Sequence, residues 1–338
     1  MSTPIHPQNV IALVWDFDKT LIPGYMQDPI FEAYGIDDVS FWREVNGLPG
    51  YCQRAGVNVH PDTSYLNHLL TYVQHGRMPN LTNAKLRELG AQIRFHPGLP
   101  DFFQHMKEEL SRVPEAGRFD LKLEHYIVST GLRAMIEGSA IRPCVDGIWA
   151  SEFIEAPPPP GFDPDETQEL DTGRHGEPLF PVHGISQIAV AYDNTSKTRA
   201  LFEINKGVNK NPGIDVNATM RPEDRRVPFA HMIYVADGPS DVPAFSVMRQ
   251  NHGTAYAVYL DDDSTEKSRD ESRRSLEQVE RLRRDGRVDH FGPADYRPGS
   301  PTAKWLALRV RQIAEMIIAE RKAALKERVG EAPRHLPH

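Results

Sequence analysis

The chain has 338 residues, 39% of them hydrophobic and 25% charged, with a formal net charge of −8. That is enough apolar chain for one large core, or for a core with a smaller second domain. The acidic balance supplies no general attraction to the phosphate backbone of a nucleic acid, so no nucleic-acid partner is expected. Its two cysteines, Cys52 and Cys144, lie far apart and exclude both a disulfide scaffold and a zinc site built on paired cysteines.

The first ten residues, MSTPIHPQNV, carry neither a basic segment nor a long apolar one, which predicts no signal peptide. No apolar run is long enough to span a bilayer, and a soluble, cytoplasmic protein with no membrane partner is expected. The run Ile11 to Trp15 is short, continuous and apolar and stops at Asp16, the pattern of a strand buried on both faces of a parallel sheet. Between 23 and 96 the period changes. Leu66, Leu69, Leu70 and Val73 recur at helical spacing, as do Leu86, Leu89 and Ile93, so this stretch reads as a helical insertion. After it, Leu99 to Leu110 reads as a helix, and His125 to Val128 as a second buried strand ending at Ser129. Ile148 to Ile154 and Ile188 to Tyr192 read as a small β-flap. The stretch 156–182 between them, rich in proline, glycine and acid, reads as an exposed loop.

Lys197 to Asn205 predicts a helix, Met232 to Ala236 a strand ending at Asp237, Val242 to Gln250 a helix, and Thr254 to Leu260 a strand ending at Asp261. Asp261 to Asp285 is dense in both charge signs and reads as a solvated helix. Leu306, Val310, Ile313 and Ile317 form the apolar stripe of a C-terminal helix over 302–328. Strands alternating with helices predict an α/β fold with a doubly wound, Rossmann-like parallel sheet. In such sheets ligands sit beyond the carboxyl ends of the strands. Polar residues stand at just those ends.

Among them the string VWDFDKTL, Val14 to Leu21, is the most informative. It sets Asp16 and Asp18 one residue apart immediately after a buried strand. Ser129 ends another strand in YIVSTG, Lys197 opens a helix in TSKTRALF, and Asp237 and Asp241 follow a third strand in IYVADGPSD. In this order the four elements resemble the haloacid dehalogenase (HAD) superfamily, whose first motif reads DxDxT. HPGLPDFF and the segment GIWASEFIE are similar to its phosphoserine phosphatase branch. The resemblance covers most of 9–22 and 97–260. It implies a core of 1–22 and 97–338 and a helical C1-type cap over 23–96.

The resemblance further implies a Mg²⁺-dependent phosphatase acting on a small phosphorylated metabolite through an aspartyl-phosphate. Asp16 would be the nucleophile and Asp18 the general acid–base. Asp16 and Asp237 would supply carboxylates to the metal, Asp18 its main-chain carbonyl, and Asp241 a nearby carboxylate that positions metal-bound water or Lys197. Ser129, the Thr130 N–H, Lys197 and Ser240 would face the phosphoryl group, with Gly131 letting the backbone approach. A dehalogenase has no need of the second aspartate, because a halide leaves without a proton. Lys197 is preferred to Lys206 because Thr195 and Ser196 would cap the helix it opens, making an anion site, whereas Lys206 precedes Gly207 at a helix end, where a lysine merely favours the dipole. Asp241 also suits the N-cap of the helix from Val242. One departure stands out. The stretch IPGYMQDPI offers Gln27 and Asp28 where phosphoserine phosphatases place an amine-binding glutamate, so phosphoserine itself is not expected as the substrate. A phosphotransferase, or a silent binding protein on the same scaffold, would carry the same motifs.

Overall fold

The computed structural model describes residues 7–158, 160–163, 184–262 and 264–329. Most of the proline-rich loop expected over 156–182 lies outside them. The chain folds as an α/β protein around a seven-stranded sheet of order β4-β3-β2-β1-β5-β6-β7. The strands are β1 (Val10–Trp15), β2 (Lys122–Leu132), β3 (Gly147–Ile154), β4 (Gln187–Val190), β5 (Met232–Ala236), β6 (Thr254–Tyr259) and β7 (His290–Pro293). All neighbours pair in parallel except β3 and β4. β1 is the centre: β2 and β3 build outward on one side, β5, β6 and β7 on the other. The switch of winding direction therefore opens a crevice beyond the carboxyl end of β1.

All six residues of β1 are buried, which explains its unbroken apolar run. Ile11, Leu13 and Trp15 face one layer, with helices α5 (Asp101–Ser111) and α10 (Pro301–Val329). Val10, Ala12 and Val14 face the other, with α7 (Ser196–Lys206), α8 (Val242–Gln250) and α9 (Glu266–Arg284). The C-terminal stripe is as expected: Leu306, Val310, Ile313 and Ile317 are all buried. Each such side chain contributes about 1.5–3 kcal/mol on burial, so the helix is held by its face rather than by its propensity.

The segment 23–96 carries α1 (Asp28–Tyr34), α2 (Asp38–Gln53), α3 (Pro61–Gln74) and α4 (Asn83–Gly90). It leaves and rejoins the core at one point, where the His96 N–H donates to the Leu21 carbonyl at 2.9 Å. Helix α4 lies directly on α6 (Arg133–Gly138). A Cβ at Gly90 would stand 2.1 Å from the Met135 carbonyl oxygen, and one at Gly138 1.9 Å from that of Arg87. The two backbones thus touch through glycines, and the segment is packed against the core.

The two expected flap segments do pair antiparallel, through Glu152↔Val190 and Phe153↔Ile188, but not as a separate flap: β3 also joins the main sheet through Tyr126↔Gly147 and Val128↔Trp149, with β4 added at its edge. Both faces of β3 are covered, Ile148 and Ala150 in one core layer and Trp149 in the other, an apolar demand that a free hairpin would not have met.

Candidate active site

Three strand ends and one helix start converge in the crevice. Asp16 follows β1, and its N–H still belongs to the sheet, donating to the Val235 carbonyl at 2.9 Å. Asp237 follows β5. Lys197 reaches in from the first turn of α7 and is 1% exposed despite its charge. Its ammonium donates to Asp16 Oδ1 at 2.7 Å and to Asp241 Oδ1 at 2.6 Å. Carboxylate oxygens of Asp16, Asp237 and Asp241 lie within 4.8 Å of one another.

Each carboxylate has its own support. Thr20 Oγ1 donates to Asp16 Oδ2 at 3.2 Å. The Met26 N–H donates to Asp18 Oδ1 at 2.9 Å, which turns that carboxylate back toward the insertion. Asp241 is fully buried and accepts from Lys197, from the Tyr234 hydroxyl, and from Ser240 Oγ at 2.8 Å. Gln278 on α9 donates to the Asp237 carbonyl at 3.1 Å. Thr20, Tyr234 and Gln278 were not singled out from the sequence as site residues. Tyr234 hides inside an apolar strand, and Gln278 hides in a segment that otherwise reads as a solvated face.

Lys197 and Lys206 sit in different surroundings. Lys206 Nζ holds the Val216 and Ala218 carbonyls of a surface turn. The capping detail differs, however. Neither Thr195 nor Ser196 caps α7; the Asp193 carboxylate does, accepting from the N–H groups of Thr195 (2.9 Å) and Ser196 (2.6 Å). Asp241 likewise makes no side-chain cap on α8; its oxygens are turned to the three donors above. Ser240 Oγ is engaged with Asp241, a positioning contact that the sequence did not reveal.

At the end of β2 the register with β3 breaks between Val128 and Leu132, so the ladder skips Ser129, Thr130 and Gly131. An irregularity of this kind frees backbone groups next to a ligand site. The Gly131 N–H donates to Ser129 Oγ at 3.0 Å, leaving the serine its own proton to give elsewhere. A cavity of about 510 Å³ opens beside Asp237, lined by Lys19 and Tyr25 from the loop after β1, by Asp28 at the start of α1 and by Arg274 and Gln278 from α9. That is the size of a small-molecule site.

The electrostatics are those of a site rich in acid and poor in cations. Burial raises Asp16 to about 6 against the pull of Lys197. Burial together with the charges of Asp16 and Asp241 raises Asp237 to about 8. Burial, then the neighbouring Asp16, holds Asp18 well above the ordinary carboxylate range. Burial alone would depress the Lys197 ammonium, but Asp16 and Asp241 on either side win, and its pKa is raised. Hard oxygen donors with an unbalanced negative charge fit a hard divalent cation.

A pH prediction follows from the signs. Asp16 and Asp237 keep their protons to higher pH when folded than the ordinary 3.8, so their contribution is present at low pH and is lost as pH rises toward 8. Buried His125, lowered to about 3 by desolvation, and His96, lowered to about 4, act oppositely: their contribution is lost as pH falls below 6.5. Metal-free protein should therefore melt highest near pH 6. Added Mg²⁺ should raise the melting temperature at pH 8 by several degrees and leave the acid limb unchanged, as read by thermal-shift titration. Equal Mg²⁺ effects at pH 5 and pH 8 would contradict this.

No family model matches the chain. It is 34% identical over 307 residues to an uncharacterized protein of Borreliella burgdorferi, covering 90% of this chain and 97% of that one. The chain belongs to the family of that protein. Among solved structures it is similar to a HAD family hydrolase from Salmonella enterica serovar Typhi, with TM-score 0.43 and 14% identity over 78% of this chain, and it spans 66% of that longer one. It is also similar to a probable phosphoserine phosphatase from Vibrio cholerae, with TM-score 0.45 and 11% identity over 93% of this chain and 68% of that one. Among the described residues no helix is long and apolar enough to cross a membrane.

Proposed function

We propose that this protein is a Mg²⁺-dependent phosphoric monoester hydrolase of the HAD superfamily, acting on a small phosphorylated metabolite through an aspartyl-phosphate on Asp16. The observation that carries this is the Lys197 ammonium bridging Asp16 and Asp241 within a cluster of carboxylates at the sheet's winding switch. Asp16, Asp237 and the main chain of Asp18 would hold the metal, with Asp241 beside them. When bound, the cation neutralises the encounter of two anions and offsets charge on the transferring phosphoryl group. Asp16 attacks phosphorus and the ester P–O bond breaks. Asp18, whose carboxyl is pushed above the ordinary carboxylate range by burial and by the neighbouring Asp16, gives a proton to the departing alkoxide. It then takes a proton from water, which attacks phosphorus, releases phosphate and restores the Asp16 carboxylate. Ser129, Thr130 and Lys197 donate to the phosphoryl oxygens. In this reading 23–96 is the cap, and its first residues, with α9, wall the chamber for the leaving group.

The test is a panel of aryl and alkyl phosphate monoesters assayed with and without Mg²⁺, with added alcohols or sugars as alternative acceptors. Hydrolysis that requires Mg²⁺ is expected; no turnover of any ester would refute the reading. Phosphorylated acceptor as the main product would make it a phosphotransferase. Asp18→Ala should retain phosphoenzyme formation from p-nitrophenyl phosphate, whose leaving group needs no proton, while alkyl ester turnover falls about 10²–10⁴-fold. Undiminished alkyl turnover would remove Asp18 from the mechanism.

A further inference from the structure

Resting on the phosphohydrolase reading, a second layer of the site lies in the insertion. The peptide joining Thr130 to Gly131 is gripped from both ends. Its carbonyl accepts from the Tyr65 hydroxyl on α3 and from Ser151 Oγ on β3 at 3.2 Å. Its N–H donates to Ser129 Oγ at 3.0 Å. Because a peptide group is planar, fixing the carbonyl fixes the direction of the N–H. That N–H occupies an acceptor site of the Ser129 hydroxyl, whose own proton must then point to another acceptor. Ser151 is itself held, accepting from the Tyr192 N–H at 3.0 Å.

The same peptide is pressed from the other flank. A Cβ on Gly131 would stand 2.1 Å from Met26 Cε and 2.6 Å from its sulfur. A side chain at Gly131 would therefore have to displace the Met26 thioether, and the same Met26 donates its N–H to Asp18. Tyr65 is buried and close enough to the Asp18 charge to feel it.

We infer that Tyr65 is a positioning residue: it aligns the Ser129 hydroxyl on the phosphoryl group through the Thr130–Gly131 peptide, so that the phosphate site is complete only while the insertion is docked. Tyr65 has no part in covalent chemistry, since its proton is committed to the Thr130 carbonyl.

Tyr65→Phe removes that one donor and keeps the ring against Trp42, whose centroid lies 6.1 Å away. With p-nitrophenyl phosphate and Mg²⁺, kcat/KM is expected to fall about tenfold, and the inhibition constant for inorganic phosphate to rise by a similar factor. The melting temperature should change little. In a Ser129→Ala background Tyr65→Phe should cost less than twofold more, because both act through one hydroxyl. Tyr72→Phe, which removes another phenol of the same helix, should leave activity at the parental level. Additive losses, an unchanged phosphate constant, or an equal loss from Tyr72→Phe would each overturn the inference. Should Tyr65→Phe fail to fold, Ser151→Ala removes the other donor to the same carbonyl and is expected to shift the phosphate constant in the same direction; no shift there would overturn it too. Parental protein inactive on every ester would instead refute the phosphohydrolase reading beneath it.

Discussion

Asp16→Asn is expected to abolish turnover, by on the order of 10⁴-fold or more, while leaving the protein folded and, without metal, more stable than the parent. The activity loss follows from chemistry: an amide has no anionic oxygen to bond phosphorus, and removing a nucleophile removes the whole two-step route. The stability gain follows from charge. Asp16, Asp18, Asp237 and Asp241 are held together with one buried ammonium, and the charge of Asp16 repels those of both Asp18 and Asp237. Asparagine keeps the shape and still accepts from Thr20 and Lys197, and Lys197 retains Asp241 as its counter-ion. Relief of repulsion thus outweighs loss of one attraction, the trade of stability against activity expected where a site is built for function. Thermal melts at pH 8 in EDTA should show Asp16→Asn above the parent, and enzyme assays should show it dead. A variant that is dead because it has unfolded would point to a structural ion pair instead of a nucleophile.

The parts of this site that could be read from sequence are those with local causes. A strand buried on both faces must be continuously apolar, so Asp16 and Asp237 stood out as the polar residues that end β1 and β5, whereas β2 runs on past the expected end at Ser129 to Leu132, with Ser129 at the break in its register with β3. Lys197 was distinguishable from Lys206 because helix starts and ends differ in their neighbours, although the actual cap came from Asp193, two residues earlier than Thr195. Contacts between distant segments left no such trace. Gln278 meets the Asp237 carbonyl across 41 residues, from a helix in which only Val279 and Leu282 are buried. The Tyr65 bond to Thr130 spans 65 residues. Elements with weak periodicity were also missed: α2 buries only Phe41 and Val45 and has Pro49 inside, and β7 is the four residues HFGP. The role of β3 turned on register with β2, which no pattern within β3 encodes.

Lys197→Met should both stop turnover and cost about 3–5 kcal/mol, because it leaves two buried carboxylates facing each other without a counter-ion. The side chain is 1% exposed, so water does not reach in to screen the loss. Methionine fills nearly the same volume, which separates the charge effect from a cavity. The sign of its pH dependence is also determined. Lys197 is what opposes the upward push of burial on Asp16. Without it that carboxylate takes up a proton more readily in the folded state, so the deficit should shrink as pH falls from 8 toward 5. Mg²⁺ should recover part of the stability by replacing the missing positive charge, yet none of the turnover, since a donor to the phosphoryl group is still absent. Lys206→Met offers the contrast: its ammonium holds main-chain carbonyls of a surface turn, one of them Ala218 at 2.6 Å, so it should cost about 1 kcal/mol and spare catalysis. Urea unfolding at pH 5 and pH 8, with and without Mg²⁺, measures all four quantities. A Lys197→Met protein as stable as the parent at pH 8 would mean that the acidic cluster is not charged as argued, and the catalytic reading would lose its electrostatic foundation.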